Sequence, residues 1–235
     1  MCADQIQENS QKQDDTQFRE RIVRASDQDL GSYELIKDEK ELIWYPAEVN
    51  TSIRPGWFYH EEEDDQVKSL ETLISIYEHS VGGNATFLLN IPPTKEGLFH
   101  ENDVKRLHEI GEYQKKCYGK NLLEKASLFC EEQKKGFEIE NLRNDDYDSY
   151  FTTSDGQRNC RIHIKFDKEY DIHRVVLKEN IKKSQRIEAF RILTVHDGSE
   201  KCVFEGTVVG YKKIVLLDKI KTKELLKELI KELVI

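Results

Sequence analysis

Trp44-Tyr-Pro-Ala-Glu-Val-Asn-Thr-Ser-Ile-Arg-Pro-Gly-Trp-Phe-Tyr-His60 is the densest run of functional chemistry in the chain. It holds both tryptophans, two of the ten tyrosines and two of the four prolines. Glu48 lies among the aromatics, and Arg54 follows it six residues later. The rings of Trp44, Trp57 and Tyr59 suit the apolar C–H face of a pyranose, and the acid and the guanidinium suit its hydroxyls. The same residues also suit a barrel strand and loop whose tryptophans are plain core. Both readings stand open at this point.

Upstream, residues 1–40 are polar, lack a sustained period, and are assigned to a partly disordered leader. Leu42-Ile-Trp-Tyr45 is a short β-rich run that Pro46 stops. Downstream, Glu61 to Asp65 are all acidic. Such a run suits a cation site or, more simply, the positive N-terminal end of a following helix. Val67, Leu70, Leu73, Ile74, Tyr77 and Val81 fall at 3.6-residue spacing and predict that helix. Gly82-Gly83 predicts a left-handed cap at its end. Ala85-Thr-Phe-Leu-Leu-Asn-Ile91 is nearly continuously apolar, the mark of a parallel strand buried on both faces, and Pro92-Pro93 ends it. Strand, helix and strand in this order form an α/β unit. Asn90 sits near the strand's C-terminal end, where a barrel places its ligand groups and where a side chain can equally hold the next turn. Residues 101–118 predict a second amphipathic helix, ended by Gly119.

The period then changes from 3.6 to 2. Arg161-Ile-His-Ile-Lys-Phe166 alternates cleanly, with Ile162, Ile164 and Phe166 on one face. Val175–Leu177, Ile187–Val195, Cys202–Val208 and Lys213–Leu217 continue the series, with turn signals such as Asp197-Gly198-Ser199 between them. Short strands so spaced predict an antiparallel β-sandwich from about residue 121. In the last segment Leu225, Leu226, Leu229, Ile230 and Leu233 share one helical face, which predicts an amphipathic helix over 223–235. Such a helix packs on its own domain or takes up a partner.

Composition narrows the function classes. A net charge of −9 and the lack of a basic stripe argue against nucleic acid. No apolar run approaches about 18 residues, so no membrane-spanning helix is expected. The first residues lack a basic region followed by an apolar one, so no signal peptide is expected and the chain as it stands reads as cytoplasmic. Cys2, Cys117, Cys130, Cys160 and Cys202 are scattered and odd in number, which fits reduced structural thiols. The histidines show no metal-ligand spacing, so no metal is predicted, and no glycine-rich phosphate loop occurs.

The stretch 44–60 resembles the α-L-fucosidases of glycoside hydrolase family 29, in particular the bacterial branch selective for α-1,3/1,4-fucosyl linkages. Three further blocks agree in order and spacing. They are Ser80-Val-Gly-Gly-Asn-Ala-Thr-Phe-Leu-Leu-Asn-Ile-Pro-Pro-Thr94, Gly97-Leu-Phe-His-Glu-Asn-Asp-Val-Lys-Arg-Leu107 and Leu177-Lys-Glu-Asn-Ile-Lys-Lys-Ser-Gln-Arg-Ile-Glu-Ala-Phe190. The resemblance covers roughly residues 24–222. It implies a (β/α)8-like barrel followed by a C-terminal β-sandwich, a fucosylated glycan as substrate, no cofactor, and a retaining mechanism with an aspartate nucleophile and a glutamic acid/base. Family members are often exported.

Two departures qualify what the resemblance implies. The family's nucleophile lies in a Trp-Phe-Asp-Gly-like segment that this sequence lacks, and the residues after 224 differ from the family's last strand. The expectation is therefore a fold of mixed class, α/β plus all-β. Residues 41–119 supply the C-terminal elements of the barrel, 120–222 a galactose-binding-like β-sandwich, and 223–235 a helical tail. The missing N-terminal barrel half, as a separate chain, is the expected partner, and the chain alone is expected to be inactive. Trp44, Arg54, Trp57, Tyr59 and Asn90 are the candidate substrate-binding residues. Glu48 is a substrate-contacting carboxylate or the general acid, and a pairing of Arg54 with Glu48 would lower that acid's pKa and disfavour the second role. The alternative is a non-enzymatic carbohydrate-binding fragment that uses the sandwich, with Tyr147, Tyr150 and Phe151 as its candidate rings.

Overall fold

The computed structural model describes residues 32–38, 40 and 47–230. The run 42–45 with Trp44, the leader before residue 32, and residues 231–235 lie outside the described residues. The chain divides into two compact units. The first contains described residues 47–120, and the second contains 121–230 with the short segment before residue 41.

In the first unit, β1 (Glu48–Ser52) and β2 (Thr86–Asn90) pair in parallel, from Glu48 opposite Thr86 to Ser52 opposite Asn90. Between them in sequence runs a helix, Leu70–Ser80, preceded in the chain by the one-turn helix α1 (Tyr33–Ile36) and so numbered α2. Ser69 caps α2 by accepting the Thr72 N–H at 3.1 Å. Leu73 and Ile74 give the helix its buried stripe. The left-handed residue after α2 is Asn84, at φ 68, and not Gly82 or Gly83. Gly83 is small for another reason: a Cβ there would lie 2.5 Å from the His79 carbonyl oxygen. α3 (Glu101–Tyr118) packs against α2, where Tyr118 meets the ring of Tyr77 edge-on and donates its hydroxyl to Glu78 at 2.7 Å. β2 is not buried on both faces in this chain: Leu88 is 49% exposed. With Trp57, Phe58, Leu98 and Phe99 also exposed, the unit shows a large uncovered apolar surface.

The second unit is a five-stranded sheet, antiparallel throughout, in the order β3-β4-β7-β5-β6. The strands are β3 (Ser127–Phe129), β4 (Asn159–Leu177), β5 (Ala189–His196), β6 (Ser199–Gly206) and β7 (Lys213–Ile230). β4 joins the two expected strands at 161–166 and 175–177 into one, bent by register shifts between Lys165 and Tyr170 and between Ile172 and Arg174. Asp197 (φ 49) and Gly198 (φ 77) make the two-residue turn from β5 to β6, the positive-φ pair a tight hairpin requires. Phe166, Ile172, Phe190, Ile192, Val215 and Leu225 build the main core, and Cys130, Ile139, Cys160 and Ile162 a smaller one. Phe190 stacks on Phe204 with Gly206 beneath it; a Cβ on Gly206 would lie 2.7 Å from the Phe190 ring.

The expected tail helix is overturned. Residues 224–230 belong to β7, and β7 is the central strand, hydrogen-bonded to β4 on one side and β5 on the other. Leucine, lysine and glutamate prefer a helix by at most about 0.7 kcal/mol per residue. Two ladders of backbone bonds and burial on both faces outweigh that preference. Leu225 and Leu226 point to opposite faces and are both buried. Glu228 sits between Arg161 of β4 and Arg191 of β5 and pairs with both. The sheet therefore runs past residue 222, as far as Ile230 of the segment read as a separate tail.

Candidate functional site

The C-terminal ends of β1 and β2 lie side by side, and the chain leaving β1 forms the loop that carries Trp57. Asn90 uses both amide hydrogens on this junction, donating to Ser52 Oγ at 3.1 Å and to the Trp57 carbonyl at 3.0 Å. Ser52 Oγ also accepts the Arg54 N–H at 3.3 Å. Lys68 Nζ donates to the carbonyls of Ser52 (2.7 Å) and Arg54 (2.9 Å), and burial lowers its pKa. The loop is thus fixed at both ends by side chains that bind backbone.

Beneath it lies Arg54, wholly buried. Its Nε donates to both oxygens of Asp103, at 3.0 and 3.2 Å, and Asp103 is itself wholly buried in the first turn of α3. Its Nη1 donates to Asp64 Oδ1 at 2.8 Å and to the His60 carbonyl at 3.3 Å. Burial acts to lower the Arg54 pKa, but the hydrogen bonds to Asp64 and Asp103 outweigh it and hold the guanidinium charged. At Asp64, burial pushes the carboxyl up, while Arg54, His100 and Tyr59 together bring it below its ordinary value. Tyr59 donates its hydroxyl to Asp64 Oδ2 at 3.2 Å and lays its ring 4.8 Å from the Arg54 guanidinium carbon. His100 caps α3 with Nδ1, which accepts the Asn102 N–H at 3.3 Å, and places Nε2 3.3 Å from Asp64 Oδ2. Arg54 Nη2 is buried without a partner among the described residues.

The structure brings Arg54, Tyr59, Asn90 and the Trp57 backbone together, with different chemistry at each. Arg54 pairs with Asp103 and Asp64 and not with Glu48. Glu48 starts β1 and is exposed, about 13 Å along the strand from Ser52 at roughly 3.3 Å per residue. Tyr59 belongs to the clamp around Asp64. Trp57 alone of these presents a large ring to solvent, at 48% exposure. Trp44 lies outside the described residues. Sequence reasoning missed Asp64, Asp103, Ser52, Lys68 and His100. Asp64 comes from the acidic run, in a 3-10 turn over Glu61–Gln66, where it serves Arg54, while Ser69 caps α2. A signal for Asp103 was present: it lies in helical register with Leu107 and Ile110, an acid on an apolar stripe.

In the second unit the three candidate rings part company. Tyr147 stacks on Tyr211 with centroids 6.0 Å apart, Phe151 packs on the smaller core, and Tyr150 lies 4.7 Å from Phe137 at a loop cleft.

Comparison with known proteins agrees with the site-bearing unit. Residues 1–120 match the family model for alpha-L-fucosidase. Residues 100–188 match that for anaphase-promoting complex subunit 10. Alpha-L-fucosidase 1 of Arabidopsis thaliana is 35% identical over 178 residues, covering 73% of this chain and 35% of its own. The structure is similar to a GH29 fucosidase of Ruminococcus gnavus in complex with fucose, with TM-score 0.77 and 28% identity over 83% of this chain and 40% of that one. It is similar also to a glycoside hydrolase 29 family member from a rumen bacterium, with TM-score 0.63 and 30% identity over 80% of this chain and 30% of that one. The chain spans about a third of the length of the curated relatives it matches.

Proposed function

This chain belongs to the alpha-L-fucosidase family, and we propose that its first unit forms the late-strand wall of a fucose pocket serving retaining hydrolysis of terminal α-L-fucosyl linkages. The observation that carries this is the exposed Trp57, whose backbone Asn90 anchors at the C-terminal ends of two parallel strands, in the loop that the buried Arg54 clamp supports. That is where a parallel barrel places its ligands. β1, α2 and β2 fit as late elements of a (β/α)8-like barrel, and the uncovered Leu88 face fits neighbouring strands contributed by a further segment or by a separate chain. The sheet of the second unit fits the family's β-sandwich, and the motif blocks favour the bacterial α-1,3/1,4 branch.

In this reading Trp57 covers the sugar and Arg54, Tyr59 and Asn90 position it. Glu48 serves as a substrate-contacting carboxylate only if the completed pocket extends along β1. Retaining hydrolysis needs two carboxyl groups about 5 Å apart, one of them protonated. Asp64 and Asp103 are both engaged by Arg54 and do not fill these roles. The 235-residue chain alone is therefore expected to release no aryl group from an aryl α-L-fucoside; release above the buffer background would contradict this. L-fucose titrated against the same chain is expected to change tryptophan fluorescence saturably. Trp57→Ala is expected to weaken this binding about tenfold, close to 1.4 kcal/mol. Equal affinity in the two proteins would remove Trp57 from the pocket.

A further inference from the structure

Beside the sheet of the second unit lies a loop cleft of about 300 Å³, lined by residues of that unit. One wall is a turn at 132–137 laid along 152–154. Lys134 N–H donates to the Thr152 carbonyl (3.0 Å), Thr152 N–H to Phe137 (3.3 Å) and Ser154 N–H to Glu132 (3.0 Å). The other wall is Ser184–Arg186, and Glu179, nearly buried, anchors it. One Glu179 oxygen accepts the N–H groups of Arg186 (2.8 Å) and Ile187 (2.9 Å), and the other accepts that of Gly210 (2.7 Å). Ser184 holds φ 66, a conformation that costs a non-glycine residue free energy and persists where the surroundings enforce it. Both walls are therefore fixed before any ligand arrives, which lowers the entropy lost on binding.

The lining has a definite chemistry. Phe137 and Tyr150, 4.7 Å apart and tilted by 43°, provide an apolar patch. Lys134, Arg158 and Arg186 provide three cations, against one acid, Asp155. Lys134 pairs with Asp155 at 2.7 Å. Neither Arg158 nor Arg186 has an ion pair among the described residues. Arg186 acts on Asp155 through space, but both guanidinium forks keep their donors free of an ion pair, and beside aromatic rings they match a planar carboxylate carried on a ring with an apolar face. A polyanion fits poorly, because the chain as a whole carries −9. The volume lies at the lower end of ligand pockets, which run from about 300 Å³ upward.

We infer that this cleft binds the carboxylate-bearing sugar residue of an acidic glycan, at a site distinct from the fucose pocket. Arg158 and Arg186 take the carboxylate, and Tyr150 with Phe137 covers the ring. The test titrates the intact chain with methyl β-D-glucuronide, with the methyl glycoside of N-acetylneuraminate, and with methyl β-D-glucoside as the neutral control. At least one acidic glycoside is expected to bind about tenfold or more tightly than the glucoside, and more weakly as salt is raised. The two acidic arms separate a uronate from a sialate. Arg158→Ala/Arg186→Ala, both changes being at exposed positions, is expected to abolish the preference with melting unchanged. Trp57→Ala is expected to leave the preference intact, so this reading and the fucose reading fail independently. Equal binding of the neutral glycoside, an unchanged preference in the arginine variant, or no saturable binding of any probe at tens of millimolar would overturn the inference.

Discussion

Asp103→Ala is expected to unfold the first unit or bring it to the edge of unfolding, while leaving the second unit folded. Arg54 and Asp103 are both fully excluded from water, and Asp103 supplies both acceptors for Arg54 Nε. Removing one partner of a buried pair strands the other charge and destabilises by about 3–5 kcal/mol. That is a large share of the roughly 5–15 kcal/mol by which native proteins are stable. The unit has little else to offset it, since Ile53, Leu73, Ile74 and Pro92 are its buried aliphatic side chains among the described residues. The loss is readable by urea denaturation followed through tryptophan fluorescence, because the sequence has no tryptophan after Trp57. The double change Arg54→Met/Asp103→Leu removes both charges together. It is expected to lose far less than the two single changes added together, because the fully buried pair goes as a unit, and Asp64, which loses Arg54, is partly exposed and keeps Tyr59 and His100. If Asp103→Ala shifts the midpoint by less than the equivalent of about 1 kcal/mol, the clamp does not hold the loop.

The same pair shows where the sequence stops being legible. β2 announces itself through a local signal, seven nearly continuous apolar residues closed by two prolines, and α3 through its period. The β5–β6 hairpin is visible in Asp197-Gly198, because two positive-φ residues in succession leave few alternatives. Each of these depends on neighbours within a few positions. Arg54 does not: Asp103 lies 49 residues away, and proximity to Glu48 in sequence suggested the wrong partner. The C-terminal strand fails for the same physical reason. Leucines at 225, 226 and 229 suit a helix when considered alone, and only the ladders to β4 and β5, formed by segments far away in the chain, decide for a strand. The aromatic company that made Trp57 a candidate is local, whereas its backbone's support by Asn90 depends on parallel pairing between segments far apart in the chain.

Lys227→Met is expected to stabilise the second unit, by up to about 3 kcal/mol at neutral pH. Lys227 lies in β7 opposite Ile162 of β4 and Ile192 of β5, both almost fully buried, with Leu225 and Leu229 on the same face of the strand. Lys227 is half-buried, and its ammonium has lost part of its water. Desolvation brings its pKa down from 10.5 to about 8, although Cys160 and Glu179 act to raise it. The sign follows from proton counts. Between about pH 8 and 10.5 the unfolded chain keeps a proton that the folded chain has released, so stability attributable to this group rises with pH. Below about pH 8 both states are charged and the folded state carries the full penalty. Methionine fills a similar volume without a charge to desolvate. Thermal melts of the two proteins followed by far-UV circular dichroism should therefore differ most below pH 8, with the variant the more stable. The difference should shrink as the pH approaches 10.5. A variant less stable than the parent, or a gap that does not change with pH, would mean that the Lys227 ammonium reaches water and that the interior face of β7 is open at that point.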